Sequence, residues 1–217
     1  MREPVVLVHG LGRTCGSMAR LQRGLNELGF AATCWPYPSR RRRLAGHIDA
    51  FRDWLGAQAF AGPVHFVGHS LGGLVVRGSL ASEPPVKLGR IVMIATPNRG
   101  AGVVSRFGGW PFSQAVFGLP LQDLAEHSPA LRNLGVPAAE IGIIAGERPF
   151  HPFHLISYVN LFRRAGHTHD GTVELANTHL DAAKDSIVID AHHTFICDHA
   201  AVIKQTGAFL RDGRFRR

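Results

Sequence analysis

The chain contains little cysteine: only three such residues occur among its 217. Cys15, Cys34 and Cys197 are odd in number and widely spaced, which predicts neither a disulfide framework nor a metal-binding cluster. The thirteen histidines are also poorly spaced for a metal, because the closest sets, at 167–169 and 192–193, match neither a zinc-binding helix nor a zinc finger. We therefore expect no metal site.

Long hydrophobic runs are absent as well. No apolar run is long enough to span a bilayer, and no leader with a small-residue cleavage site precedes the first strand-like run, at residues 5–8. These absences predict a cytoplasmic protein, although a secreted protein whose leader had been removed would look the same. The length suits one α/β domain better than two, and a hydrophobic fraction of 45% allows a substantial core. We expect a single domain over residues 1–217.

Acidic residues are scarce relative to basic ones, with 16 aspartates and glutamates against 24 lysines and arginines and a net charge of +8. Basic residues collect at 40–43 and 211–217. No helix-turn-helix, zinc-finger or aromatic RNA-binding signature accompanies them, so we expect no nucleic-acid binding. The run at 40–43 precedes a helix that begins near Leu44, where its charge opposes the helix dipole. Solvated surface is the ordinary interpretation of this run, and weak contact with anionic lipid surfaces is the alternative.

Short apolar runs alternate with helical patterns along the chain. The runs are aliphatic, as in strands buried on both faces, and lie at residues 5–8, 31–34, 64–67, 91–95, 141–145 and 187–189. Apolar residues at steps of three and four predict helices near 18–28, 44–55, 74–80 and 202–210, the last with Asp198 as its N-cap. This alternation predicts the α/β class, with right-handed crossovers and a parallel sheet covered by helices on both faces.

Residues 99–139 interrupt the alternation because they contain no strand-like run. They include three large aromatic residues, Trp110, Phe112 and Phe117, then a short helix at 121–127 and a new turn at Ser128. An apolar insertion after a strand that ends near an active site predicts a short cap over a pocket. The alternative is a satellite helix packed on the surface. If the segment is a cap, the three aromatic residues should bind substrate.

The segment VHFVGHSLGGLVV, residues 64–76, carries the strongest chemical signal in the sequence. A strand is predicted before Gly68 and a helix after Leu71, so Gly-His-Ser-Leu-Gly lies on a strand-to-helix turn. That context is the one in which the G-x-S-x-G motif forms a nucleophile elbow, with a strained serine whose hydroxyl projects above the sheet. We predict that Ser70 is a nucleophile rather than an ordinary turn residue.

A serine nucleophile needs a base and an acid that orients the base, and on this fold they follow the serine in the order acid, then histidine. Asp170, in a turn with Gly171, is the favoured acid, and Glu147, directly after the fifth strand, is its rival. The remaining carboxylates between the last two strands are Glu174, Asp181 and Asp185. The base is expected in the loop after the last strand, where the pattern does not separate His192 from His193. His199 is expected on the surface, in the first turn of the last helix.

Two backbone amides should form the oxyanion hole. One belongs to Leu71, the residue after the nucleophile, and the other to Leu11, in the loop after the first strand. His9 and His69 precede Ser70 in the chain, and both are interpreted as packing residues around the motif.

These motifs resemble those of small bacterial lipases and esterases of the α/β-hydrolase superfamily. The similar segments are VVLVHGLGR, YPSR, VHFVGHSLGGLVVR, DGTVELANT and HHTFICDHAAVIKQTGAFLRDGRF. The resemblance implies that Asp170 is the acid and that His193, which Thr-Phe follows, is the base. It also implies no cofactor and a minimal, mostly parallel sheet of about six strands, since the first strand corresponds to the third of larger members.

The resulting hypothesis is a serine carboxylesterase or lipase that hydrolyses small-molecule esters with a Ser70–Asp170–His193 triad. The alternatives are an acyltransferase or thioesterase with the same triad, or a non-catalytic binding module on a hydrolase scaffold. The short cap argues against interfacial activation of the true-lipase kind.

Overall fold

The computed structural model describes residues 2–102, 118–126, 128–149 and 168–217. One sheet is built from six strands: β1 (Pro4–Val8), β2 (Ala31–Cys34), β3 (Val64–His69), β4 (Leu88–Ile94), β5 (Ile141–Gly146) and β6 (Asp185–Ile189). The strands lie in the order β2-β1-β3-β4-β5-β6, and each neighbouring pair is parallel. The predicted strands and the predicted parallel sheet are therefore confirmed.

Helices lie between the strands and after the last one. They are α1 (Ala19–Glu27), α2 (Leu44–Gly56), α3 (Leu71–Leu80), α4 (Pro129–Arg132), α5 (Leu175–Thr178) and α6 (Ala200–Asp212), with 3-10 helices at Cys15–Met18, Leu119–Leu124 and Ile196–Asp198. The four helices expected from periodicity are present as α1, α2, α3 and α6. The predicted cap of the last one is wrong, because the His199 ring, not Asp198, accepts the Ala201 amide. Within the described part of the chain, no helix is long and apolar enough to cross a membrane.

The core has two layers, one on each face of the sheet. Alternate residues of β1 show this division, since Val6 and Val8 pack into one layer and Val5 and Leu7 into the other. Helices α2 and α3 cover the first face and helices α1 and α6 cover the second, each through a buried apolar stripe. Helices therefore lie on both faces, as expected, and the loops at the carboxyl ends of the strands meet at one edge of the sheet.

Cys15 and Cys34 form a disulfide, with their Cα atoms 5.8 Å apart, a pair that the prediction of no disulfide framework missed. Cys34 ends β2 and lies opposite Leu7 of the neighbouring β1, while Cys15 begins the 3-10 helix that follows β1. Parallel pairing of the two strands brings the cysteines together although 19 positions separate them in the sequence. Cys197 is buried and has a free thiol.

Part of the predicted cap, residues 99–139, lies within the described chain. A 3-10 helix at Leu119–Leu124 replaces the helix expected at 121–127, and Ser128 caps α4 by accepting the Leu131 amide. Trp110, Phe112 and Phe117 lie outside the described residues, so their place near a pocket stays a prediction, as does the single-domain assignment.

Asp123 changes the interpretation of the arginine run. Its buried carboxylate accepts a hydrogen bond from the Leu44 amide, the first of α2, at 2.9 Å. The same carboxylate binds the Arg43 guanidinium through two nitrogens. A negative group therefore faces the positive end of α2. The expected conflict between the arginine run and the helix dipole is offset by a residue 80 positions from Arg43.

Candidate active site

Ser70 lies on the turn between β3 and α3 in a backbone conformation that side-chain-bearing residues rarely adopt, with φ 54° and ψ −122°. The flanking glycines explain how the chain tolerates this turn. A β-carbon at Gly68 would lie 2.4 Å from the Gly73 α-carbon, and one at Gly72 would lie 2.1 Å from the Val8 carbonyl oxygen. Any larger residue at 68 or 72 would clash with backbone. The strand, turn and helix of an elbow are thus present around Ser70.

A chain of hydrogen bonds joins Ser70, His193 and Asp170. Nε2 of His193 lies 3.1 Å from the Ser70 hydroxyl oxygen, and Nδ1 lies 2.7 Å from Oδ2 of Asp170. The other carboxylate oxygen of Asp170 accepts from the Thr172 and Val173 amides, at 3.0 and 2.8 Å. Because Nδ1 donates to the carboxylate, Nε2 is left to accept the serine proton. Both the carboxylate and the imidazole are buried.

The rival candidates lie elsewhere. Glu147 follows β5, as predicted, but is exposed, and its amide donates to the Ile189 carbonyl. The His192 ring is buried and accepts from the Thr194 amide. His199 is the exposed N-cap of α6. Among the alternatives that the sequence left open, the structure therefore brings Asp170 and His193 to Ser70. These are the two residues to which the family resemblance pointed.

The two predicted oxyanion donors belong to segments that adjoin the serine. Leu71 is the first residue of α3, where the amide has no partner within the helix. Leu11 lies in the loop after β1, residues 9–14, which we call the oxyanion loop after the role predicted for it. Gly10 of this loop approaches the elbow so closely that a β-carbon there would lie 3.3 Å from Cβ of Ser70.

Three residues that the sequence analysis did not single out hold the oxyanion loop. Ser39 Oγ accepts from the Gly12 amide at 3.0 Å, and the Tyr37 hydroxyl donates to the His9 carbonyl at 2.8 Å. Arg13 donates to the Thr194 carbonyl at 2.8 Å, across to the loop that carries His193. The segment YPSR, which contains Tyr37 and Ser39, follows β2. Because β2 and β1 are parallel neighbours, they end at the same edge of the sheet. The position of this segment therefore indicated a contact with the loop after β1.

Buried neutral rings surround the loop. Burial lowers the pKa of His9, whose ring stacks on Tyr37 at 4.4 Å between centroids. Burial also lowers the pKa of His47, whose Nε2 donates to the Ser39 carbonyl at 3.1 Å, and raises the pKa of Tyr37. Neutral, fully packed groups therefore support the loop and add no charge to it. Among the described residues, no three histidine, cysteine or acidic side chains are grouped to hold a metal ion.

Solved structures with the same fold include several lipid- and ester-cleaving enzymes. The mature form of a Bacillus licheniformis lipase has a TM-score of 0.81 at 16% identity, covering 96% of this chain and 92% of the lipase. A metagenomic carboxyl esterase has a TM-score of 0.67 at 19% identity, covering 88% of this chain and 64% of the esterase. The phospholipase PlaB of Legionella pneumophila has a TM-score of 0.64 at 18% identity, covering 82% and 45%.

The sequence matches no protein with a curated description. It does match the profile of the alpha/beta hydrolase family over residues 5–206, nearly its whole length. The fold, the strand order and the elbow agree with that match. The chain belongs to the alpha/beta hydrolase family.

Proposed function

We propose that the protein is a serine carboxylesterase or lipase that hydrolyses small carboxylic esters through an acyl-enzyme intermediate. The observation that carries this proposal is the continuous hydrogen-bonded path from Asp170 through His193 to Ser70, at 2.7 and 3.1 Å. A buried carboxylate, an imidazole and a hydroxyl in this order make a serine into an effective nucleophile. The lipase and esterase among the structural neighbours support the choice of an ester over other acyl compounds.

In the first step Ser70 Oγ attacks the ester carbonyl carbon while Nε2 of His193 takes the hydroxyl proton. Asp170 keeps Nδ1 protonated and stabilises the imidazolium. The tetrahedral oxyanion accepts from the Leu11 and Leu71 amides, and donors of this kind each contribute about 3 kcal/mol. The imidazolium then gives its proton to the leaving alcohol as the carbon–oxygen bond breaks. Water, deprotonated by His193, releases the acid and restores Ser70.

The proposal is tested by fluorophosphonate labelling together with hydrolysis of p-nitrophenyl esters. Wild type should take one label, at Ser70, and Ser70→Ala should lose both label and turnover while keeping its melting temperature. His193→Ala should lose turnover by a factor of about a thousand or more. His192→Ala, its matched control, should keep most of it. Labelling or turnover that survives in Ser70→Ala contradicts the nucleophile assignment.

Two alternatives have their own outcomes in these assays. An acyltransferase or thioesterase with the same triad would still be labelled, but would transfer the acyl group to an added alcohol or would prefer thioesters. A binding module without activity would take no label. The absence of nucleic-acid partners, the absence of a cofactor and contact with anionic lipid remain predictions.

A cytoplasmic location also remains a prediction from the sequence. The Cys15–Cys34 disulfide supports an oxidising compartment instead, because the cytosol keeps most thiols reduced. Trapping free thiols with an alkylating reagent in fractions of the producing cells would decide between the two. Protein that is found in an exported fraction with one alkylated cysteine supports the oxidising compartment. Protein that is found in the cytoplasmic fraction with all three cysteines alkylated contradicts it.

A further inference from the structure

His69 lies directly before Ser70, at the end of β3, and is 4% exposed. Its ring touches the oxyanion loop, since a β-carbon at Gly10 would lie 3.1 Å from Nδ1. The ring also lies 5.0 Å from the His193 ring, measured between centroids. One side chain thus contacts the segments that carry the nucleophile, the oxyanion donor and the base.

The His69 ring makes one directional contact with the base. Its Nε2 lies 3.1 Å from the backbone carbonyl oxygen of His193. A carbonyl only accepts, so Nε2 carries the ring proton. Burial lowers the pKa of His69 well below its ordinary value, and the positive charge of the nearby Arg13 guanidinium adds to this effect. The ring is therefore a neutral donor whose second nitrogen, Nδ1, is a bare acceptor.

That second nitrogen has no hydrogen-bond partner among the described residues, although it is buried. A buried acceptor without a partner destabilises the folded state, and an aliphatic side chain of similar size would not incur this penalty. Packing alone, the role expected from the sequence, therefore does not explain an imidazole at position 69. The hydrogen bond from Nε2 is the contact that an aliphatic residue would lack.

The peptide of His193 is held from both sides. Its amide donates to the Asp170 carbonyl at 2.9 Å, and its carbonyl accepts from His69. We propose that His69 is a positioning residue, which fixes the His193 backbone so that the imidazole stays aligned with the Ser70 hydroxyl. This inference rests on the proposed serine-hydrolase function. It assigns to His69 no contact with substrate.

Three substitutions at position 69 separate the effect of the hydrogen-bond donor from the effect of side-chain packing. His69→Gln keeps an N–H near the position of Nε2, His69→Leu removes the donor and keeps bulk, and His69→Asn keeps a polar group too short to reach the carbonyl. We expect the leucine and asparagine variants to lose about tenfold or more in kcat, with KM within about twofold of wild type, because small misalignments slow proton transfer. The glutamine variant should recover most of the loss.

Proton NMR gives a readout that does not depend on turnover. The proton shared by Nδ1 of His193 and Asp170 should give a low-field resonance that is sharp in wild type and His69→Gln, and broad or absent in the other two. Equal kcat in all variants, or equal losses in the glutamine and leucine variants with an unchanged resonance, overturns the inference. If His69→Leu does not fold, the comparison of asparagine with glutamine decides. If wild type is neither labelled nor active, the proposed function fails. The resonance of the proton between His193 and Asp170 then tests by itself whether His69 positions the His193 backbone.

Discussion

Ser39 and Gly12 are joined by a 3.0 Å hydrogen bond from the Gly12 amide to the Ser39 hydroxyl oxygen. Ser39 is itself fixed, because its carbonyl accepts from the buried His47 ring. The bond ties the segment after β2 to the oxyanion loop next to Leu11, whose amide we expect to bind the oxyanion. The position of that amide should therefore depend on a residue that never meets the substrate.

Ser39→Ala should lower kcat for ester hydrolysis by about tenfold and leave KM nearly unchanged. Losing an oxyanion donor outright costs a factor of about a hundred to a thousand, and a loosened loop should cost part of that. Ser82→Ala is the matched control, an exposed serine in the turn between α3 and β4, outside the oxyanion loop. Steady-state kinetics at matched melting temperature checks the prediction. Equal kcat in the two variants would count against a role for Ser39.

The disulfide between Cys15 and Cys34 should stabilise the fold by about 3 kcal/mol, because it closes a loop of about 20 residues in the unfolded chain. Urea unfolding of Cys15→Ser/Cys34→Ser should show that loss relative to oxidised wild type. Reduced wild type should unfold like the double variant. Thiol titration of the denatured, unreduced protein gives an independent check, with one reactive thiol, Cys197, expected. Three thiols would show that the bond does not form.

The elbow was predictable because its requirements are local. Gly68 and Gly72 are needed where backbone approaches backbone, and the sequence places both around Ser70 between a strand and a helix. The strands were predictable for a similar reason, since each is a short aliphatic run. The order of acid and base along the chain follows from the fold, and this limited the candidates to a few residues.

Contacts between distant segments could not be predicted in the same way. Whether His192 or His193 reaches the serine depends on how the loop after β6 turns, and the amide of His193 bonding to the Asp170 carbonyl sets that direction. The Cys15–Cys34 pair follows from the pairing of β1 with β2, which no local pattern reveals. Charge composition alone likewise does not predict the ion pair between Arg43 and Asp123.

Acid should destabilise the protein through its buried histidines. Burial lowers the pKa of His9, His47, His65 and His69 in the folded state. Below about pH 6.5 the unfolded chain therefore takes up protons that the folded chain resists, and stability falls as pH falls. Each histidine can add up to about 1.4 kcal/mol per pH unit. Urea unfolding between about pH 8 and pH 5 checks this, and His47→Gln should make the slope shallower. A stability that does not change over this range would contradict it.

The arginine run offers a comparison of neighbouring residues with different surroundings. Arg43 binds the buried Asp123 carboxylate, but its side chain is 52% exposed, so solvent screens part of the interaction. Arg43→Gln should lower the free energy of unfolding by about 1–2 kcal/mol, chiefly because it leaves a buried carboxylate with one strong partner fewer. Arg41→Gln is the matched control, an exposed arginine of the same run, and should change stability by less than about 0.5 kcal/mol.

Urea unfolding of the two variants at equal ionic strength measures the difference. Exchanging the two residues, with Arg43→Asp and Asp123→Arg, should not restore stability. The carboxylate at position 123 also accepts a hydrogen bond from the Leu44 amide at the start of α2. An arginine there would bring a positive charge to the positive end of the helix. Equal stability of Arg43→Gln and Arg41→Gln would show that Asp123 is satisfied by the helix amide alone, and that Arg43 is ordinary solvated surface like its neighbour.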